Sequence, residues 1–366
     1  MMKHVLLVSN RVMHYRVSLY NAFQKRFLPA GWDLRVRANE LQRENPYPVQ
    51  FDFKAMPFRF SAYRSEINRL DPDAVILFLH LKDAIIWPLM HWLRFVKRTP
   101  VIFWSKGANL DALDDRLSRL SYAYMHTLAD ALILYSENEA RYVPRIHRHK
   151  VFVANNTLNF DDYPDVPESK EQIKASLGLP FEKVVLFTGR MGIDGERKKV
   201  RHLIEVFRQI EDEGVGCVIV GSGLPDEARA AMNPKNTRYL GEVYDPTNSA
   251  ISRLFAMADV FCIPGHVGLG INQAMFWGLP VVTEEGGQPP EIHYLIDGRN
   301  GFMVPGNDVP ALKDKILLLL RDDGLRRQMG EHARRDIRTM ASVGTMFAGF
   351  LASLTHAVST RNGRAA

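Results

Sequence analysis

Residues 184–223 read VVLFTGRMGIDGERKKVRHLIEVFRQIEDEGVGCVIVGSG. The run from Val184 to Thr188 is short and apolar, as a strand covered on both faces requires, and it stops at Gly189. Residues 200–213 have the pattern of an amphipathic helix. Cys217 to Val220 is a second apolar run, and it again ends on a glycine, Gly221. Strand, helix, strand predicts parallel strands joined by a crossover helix.

The alternation extends in both directions. Downstream, helices are expected at 225–232, 247–257 and 269–277 and after Pro310 and Leu325, with strands at 239–240, 260–263 and 281–283. Upstream, strands are expected at 4–9, 34–36, 74–79, 101–104, 131–135 and 151–154. Helices at 16–27, 83–96, 113–128 and 137–143 lie between them. Residues 159–182, rich in Asp, Pro, Lys and Glu with one short helix near 170–177, read as a linker. The expected fold class is α/β: two tandem doubly wound, Rossmann-like domains, 1–160 and 161–345. Residues 346–366 form a C-terminal helix and tail, expected to pack back on the first domain. Ligands of such sheets bind at the carboxyl ends of the strands, so a cleft between two facing edges is expected.

Composition agrees. At ~150 residues per domain, 366 residues suggest two domains. With 46% apolar and 24% charged residues the chain is neither disordered, collagen-like nor coiled-coil. The two cysteines, Cys217 and Cys262, sit inside apolar runs, which argues against a disulfide scaffold or a zinc site. Residues 74–104 are apolar, but Lys82, Asp83, Pro88, Arg94, Lys97, Arg98 and Pro100 interrupt them, so no membrane span is expected. The apolar run at 5–8 is too short for a signal-peptide core, and a cytoplasmic location is expected.

Charge is uneven. Residues 1–160 hold 23 Lys+Arg against 14 Asp+Glu, a net +9, which leaves −3 for the rest. This is either a solvated basic surface or one that meets an anionic partner. Nucleic acid is not expected, because no nucleic-acid-binding signature is present. A helix with Trp87, Trp92, Arg94, Lys97 and Arg98 suggests docking on the anionic inner face of a membrane, the alternative being a helix whose aromatic side packs into the core.

Three stretches of the second half fall at strand ends. In the first, Gly189 lets the chain turn, Arg190 follows, and Arg197, Lys198 and Lys199 precede a helix. Guanidinium chelates phosphate oxygens and ammonium supplies a mobile charge, so the group reads as a diphosphate clamp or as a basic surface loop. In the second, a strand enters Gly221-Ser222-Gly223, half of a dinucleotide fingerprint; a tight strand-to-helix turn explains it equally well. The third runs Pro264-Gly265-His266-Val267-Gly268-Leu269-Gly270-Ile271-Asn272-Gln273-Ala274-Met275. A glycine-rich turn opening a helix offers backbone N–H groups to an anion, and Gln273 on its first turns is placed to reach a ribose. Glu291, after Gly286-Gly287, sits at another helix start, where the helix dipole alone would favour it.

The order strand-Gly-Arg, basic loop, Leu203-Ile204-Glu205-Val206-Phe207, Gly-x-Gly, Gly268-Leu269 with Gln273-Ala274-Met275, Gly278-Leu279-Pro280-Val281-Val282, Gly-Gly and Pro290-Glu291 resembles the family 4 glycosyltransferases. Asn155-Asn156-Thr157 and Asn300-Gly301-Phe302 fit as well. The resemblance is specific over 150–305. It is looser over 1–150, where it rests on Arg16-Val17-Ser18-Leu19-Tyr20 and Trp104-Ser105-Lys106-Gly107. It implies the GT-B architecture, a nucleotide-sugar donor, no bound metal or other cofactor, and transfer with retention. It assigns Arg190 and Lys198 to the donor diphosphate, with Lys199 as the fallback. Gly189, Gly221, Gly268, Leu269, Gln273 and Glu291 complete the donor side, and His14, Arg16 and Lys106 are the acceptor-side candidates.

Two departures stand out. The family's glutamate pair falls on Gly265 and Gln273, so both carboxylates are missing; His266, Glu284 and Glu285 are the nearest substitutes. Lys106 stands where the family often has a histidine. The expected function is transfer of a sugar, from a UDP-sugar by preference or a GDP-sugar, to a glycan or lipid-linked acceptor in cell-surface polysaccharide or lipopolysaccharide assembly. The alternatives are a catalytically impaired nucleotide-sugar-binding scaffold or another GT-B enzyme such as a sugar-nucleotide epimerase.

Overall fold

The apolar runs become the strands of two separate parallel sheets in a computed structural model that describes residues 2–42, 45–192, 195–211 and 214–365. The first sheet contains β1 (Lys3–Val12), β2 (Trp32–Leu41), β3 (Asp52–Ala55), β4 (Ala74–Phe78), β5 (Val101–Trp104), β6 (Ala131–Leu134) and β7 (Val151–Val153). The second contains β8 (Lys183–Thr188), β9 (Val215–Val220), β10 (Thr237–Tyr239), β11 (Val260–Cys262), β12 (Val281–Glu284) and β13 (Gly301–Val304). Their orders are β3-β2-β1-β4-β5-β6-β7 and β10-β9-β8-β11-β12-β13, with every pairing parallel. Both are doubly wound, and each reverses direction beside its first strand, between β1 and β4 and between β8 and β11.

Helices cover the faces: α1 (His14–Phe27), α2 (Phe60–Leu70), α3 (Ile86–His91) and α4 (Arg116–Leu128) in the first half. The second half has α5 (Lys170–Ser176), α6 (Gly195–Lys198), α7 (Val200–Arg208), α8 (Asp226–Ala230), α9 (Ser249–Met257), α10 (Gly270–Phe276), α11 (Val309–Arg321) and α12 (Asp323–Met340). A last helix, α13 (Val343–Ala365), returns to the first sheet. The chain divides into Met1–Asn159 with Ala341–Ala366, and Phe160–Met340. The second boundary is thus at 340, and residues 341–345 belong with the first unit.

In the first unit successive side chains of β1 enter opposite cores. Val5 and Leu7 join one cluster, Leu6 and Val8 the other, which is why the strand is apolar throughout. The first cluster is closed by Met346, Phe350, Leu354 and Ala357 of α13, with Phe350 edge-on to Trp104 at 4.8 Å and to Phe23 at 5.0 Å. The helical stretch 323–361 is long and apolar enough to cross a membrane by length and composition, which the sequence pattern did not suggest. Much of its apolarity is accounted for by this core contact.

Some expectations are corrected. The strand at 34–36 runs through all of β2, and β3 and α2 were not anticipated. The helix at 83–96 begins only at Ile86 and continues beyond α3 as a π-helical segment, Trp92–Lys97. Residues 137–142 are a 3₁₀ helix. The helix at 200–213 ends at Arg208, and its last positions, 212–213, lie outside the described residues. The aromatic face proposed for membrane docking is packed: Trp92 is buried against Phe60, and half-buried Trp87 donates its indole N–H to Leu81 O at 3.0 Å. Arg94 and Lys97 pair with Asp130 and Asp71.

Candidate donor site

In the second unit the switch point lies between β8 and β11, so the segments that leave those two strands meet there. The chain leaves β8 through Gly189 and leaves β9 through Gly221, whose φ is 134°. The two pack so closely that a Cβ on Gly221 would stand 1.8 Å from Gly189 O. After this turn, α6 brings Lys198 back over the strand end. Its stem lies on Gly189, where a Cβ would come within 2.7 Å of Lys198 Cδ, and its ammonium donates to His266 O at 2.9 Å. Arg190 is exposed and makes no hydrogen bond or ion pair with the described residues. Arg190 and Lys198, eight positions apart in sequence, thus share one strand end with the turn that follows β11.

That turn is built on backbone donors. Gly265 N–H donates to Lys198 O (3.0 Å), His266 N–H to Arg197 O (2.7 Å) and Val267 N–H to the side-chain oxygen of Gln288 (3.1 Å). The N–H groups of Gly268 and Leu269, just before α10, donate to none of the described residues. The pattern leaves two backbone donors on the turn that holds Lys198, at the sheet edge where Arg190 follows β8, an arrangement suited to phosphate oxygens.

Of the adjacent lysines, Lys199 takes a left-handed conformation and turns its ammonium to Glu284 (2.7 Å) and to Asn307 (2.9 Å). Gln273 donates its amide N–H to the Tyr163 hydroxyl at 2.7 Å, which leaves its carbonyl oxygen as an acceptor. Tyr163 was not singled out in the sequence, because it lies in the linker; Phe160 beside it stacks on Phe276 at 4.2 Å. Glu291 is buried in the 3₁₀ helix Pro290–Tyr294.

The missing carboxylate at 265 has a steric cause. A Cβ there would lie 1.9 Å from Arg197 O, so no side chain fits while residues 197–199 rest on the turn. Glu284 does not take over as an exposed sugar contact: it is fully buried, bound by Lys199, His202 and the Asn307 N–H. Glu285 is exposed and His266 half-buried.

On the first unit Arg16 is buried. It donates to Asn156 Oδ1 at 2.9 Å and lies over Trp104 (4.8 Å) and Phe78 (5.5 Å), at the ends of β5 and β4. Lys106, half-buried, follows β5 two residues after Trp104. His14 is turned towards the end of β2, its Nδ1 within 3.0 Å of Gln42 Oε1. Among the described residues no group of three or more His, Cys, Asp or Glu side chains is arranged to hold a metal. Cys217 and Cys262 are buried, and burial raises both thiols.

Residues 182–322 match the family described as glycosyl transferases group 1. Over 310 residues the chain is 26% identical to a phosphatidyl-myo-inositol mannosyltransferase of Mycobacterium leprae, covering 82% of this chain and 79% of that protein. It is 28% identical to a D-inositol 3-phosphate glycosyltransferase of Xylanimonas cellulosilytica over 56% of this chain and 52% of that protein, so it spans about half the length of that relative. Among solved structures, Anabaena HepE in complex with UDP and glucose superposes with a TM-score of 0.74 at 16% identity, covering 96% of this chain and 99% of HepE. WaaG, a glycosyltransferase involved in lipopolysaccharide biosynthesis, superposes with a TM-score of 0.66 at 15% identity over 93% of this chain and 97% of its own.

Proposed function

We propose that the chain is a GT-B glycosyltransferase of the family 4 type that moves a sugar, with retention and without a metal, from a nucleoside diphosphate sugar to a glycan or lipid-linked acceptor in cell-surface polysaccharide or lipopolysaccharide assembly. One observation carries the donor half: Arg190, Lys198 and the open N–H groups of Gly268 and Leu269 gather at the switch point of the second sheet. They would neutralise the diphosphate as it departs, as charges and dipoles already in place before reaction. The bond from the anomeric carbon to the phosphate oxygen breaks, and the acceptor hydroxyl oxygen bonds to the same face of that carbon. The hydroxyl proton passes to the departing phosphate oxygen. This route asks for no carboxylate nucleophile, which agrees with a glycine at 265, an amide at 273 and a locked Glu284.

Gln273 would hold the ribose through its free carbonyl oxygen. A UDP-sugar is the favoured donor, in line with the UDP-bound HepE structures, and a GDP-sugar the second option, in line with a GDP-mannose-dependent relative. Arg16 and Lys106, with His14 nearby in sequence, would serve the acceptor. The test is a thermal-shift panel of UDP-, GDP- and dTDP-sugars, with and without magnesium, on wild type, Arg190→Ala and Lys198→Ala. One nucleotide sugar is expected to raise the melting temperature without magnesium, with the shift and turnover lost in both folded variants. A shift without turnover in the wild type would favour the scaffold alternative, and no shift with any of them would overturn the donor reading.

We place the site of action on the cytoplasmic face of the membrane. The first unit holds 25 Lys+Arg against 14 Asp+Glu, and Phe95, Val96, Leu117, Leu120 and Tyr124 are exposed on it. Co-sedimentation with vesicles should rise with their anionic lipid content and fall with salt; binding indifferent to lipid charge removes this part of the proposal.

A further inference from the structure

The segment bearing Lys198 is anchored by one buried carboxylate. Glu284, the last residue of β12, is fully buried, and each of its contacts is a donor: Lys199 Nζ at 2.7 Å, the Asn307 N–H at 2.8 Å and His202 Nδ1 at 2.6 Å. Lys199 and Asn307 are also two of the few non-glycine residues with left-handed backbone, φ 50° and 64°, a conformation held only where surroundings enforce it. Both flank this carboxylate and bond to one another at 2.9 Å. Burial raises the Glu284 carboxyl, but the hydrogen bonds from Lys199, His202 and Asn307 outweigh it and hold the group below the usual range.

The anchor continues into the donor site. Lys199 directly follows Lys198, whose carbonyl accepts from Gly265 N–H, while the Glu284 N–H itself donates to Pro264 O at 2.9 Å. Gln288 ties the same strand ends together, donating to Gly265 O (2.9 Å), Thr283 Oγ1 (2.9 Å) and Glu284 O (2.8 Å). Without the Glu284 carboxylate, only the bond to Asn307 Oδ1 would hold the Lys199 ammonium, and the turn that carries Lys198 would loosen.

We infer that Glu284 is a positioning residue: it draws Lys199 away from the donor and fixes the left-handed turn that presents Lys198 to the diphosphate. This rests on the donor reading given above. Its signature is selective, since loosening the turn weakens recognition of the second phosphate and spares the nucleoside and first phosphate.

Calorimetry with UDP and UMP (GDP and GMP if the panel selects guanosine) tests it on wild type, Glu284→Gln, Lys199→Met, Lys199→Arg and the double variant Glu284→Gln/Lys199→Met. The double variant leaves no unpaired buried carboxylate and therefore keeps the fold even where a single variant fails. The preference for the diphosphate over the monophosphate is expected to fall about tenfold in Glu284→Gln, as for loss of a charged hydrogen bond, and to stay low in the double variant. Lys199→Met should lower it as Glu284→Gln does, Lys199→Arg, which keeps a cation for Glu284, should retain it, and UMP affinity should hold throughout. A merely structural role would lower melting temperature and leave the preference intact. Wild-type preference in the double variant overturns the inference alone; a wild type that does not prefer the diphosphate overturns the donor reading and this inference with it.

Discussion

His126 shows how little spacing says about a single residue. It falls in the expected helix 113–128 as one polar position among several, yet it is fully buried, close to the rings of Phe103 and Tyr122. Neither ring nitrogen has a hydrogen-bond partner among the described residues. Burial first, and then the charges of His147 and Lys150, push its pKa down to about 3. The unfolded chain takes up this proton near the ordinary value of 6.5, the folded chain only near 3. Stability present above pH 6.5 is therefore lost as pH falls through this window, by at most about 1.4 kcal/mol per pH unit. His126→Leu should flatten the loss, read as urea midpoints across a pH series; parallel curves for the two proteins would refute the assignment. The lysine pair teaches the same lesson. Both lysines fit a diphosphate clamp by spacing, and only the left-handed backbone at 199 and the carboxylate beneath it separate their roles.

Elements were missed where polar groups face inward. β3 is a four-residue, mostly exposed strand with no apolar face, and α2, although Phe60, Tyr63 and Ile67 recur at helical spacing, also directs Glu66 into the interior. Arg37 of β2 supplies the explanation. Fully buried, it binds Glu66 Oε1 at 2.8 Å and both carboxylate oxygens of Asp52 in β3 at 3.0 Å. Hydrogen bonds from Arg69, then from Arg37 and Lys54, overcome burial and hold Glu66 at about 2 against an ordinary 4.5. This contribution is present above pH 4.5 and is lost as pH falls towards 2. Arg37→Met strips the buried carboxylate of its buried partner and should cost about 3–5 kcal/mol in denaturant unfolding. A cost below roughly 1 kcal/mol would mean that Arg69 and Lys54, both exposed, suffice.

At the scale of the whole molecule the two units follow one pattern but close their cores differently. The second is a continuous segment, Phe160–Met340, whereas the first needs α13 from the far end of the chain. Every donor-side candidate lies within 160–340, so that fragment alone should bind the nucleoside diphosphate as the full chain does in calorimetry. Folded fragment without binding would show that the donor site needs residues of the first unit. A chain ending at 340 should lose the near-ultraviolet circular dichroism of Trp104, because Phe350 no longer packs on its ring. The sequence by itself determined the alternating α/β order, the tandem parallel sheets and the segments bearing the donor candidates. Those depend on local periodicity, and on strands buried on both faces that must be apolar along their length. Tertiary structure alone decided that Lys199 turns to Glu284, that no side chain fits at 265, and that Trp92 is core rather than surface. Each depends on groups far apart in the chain meeting at short range, where sterics and desolvation act, and one-dimensional spacing does not carry that distance.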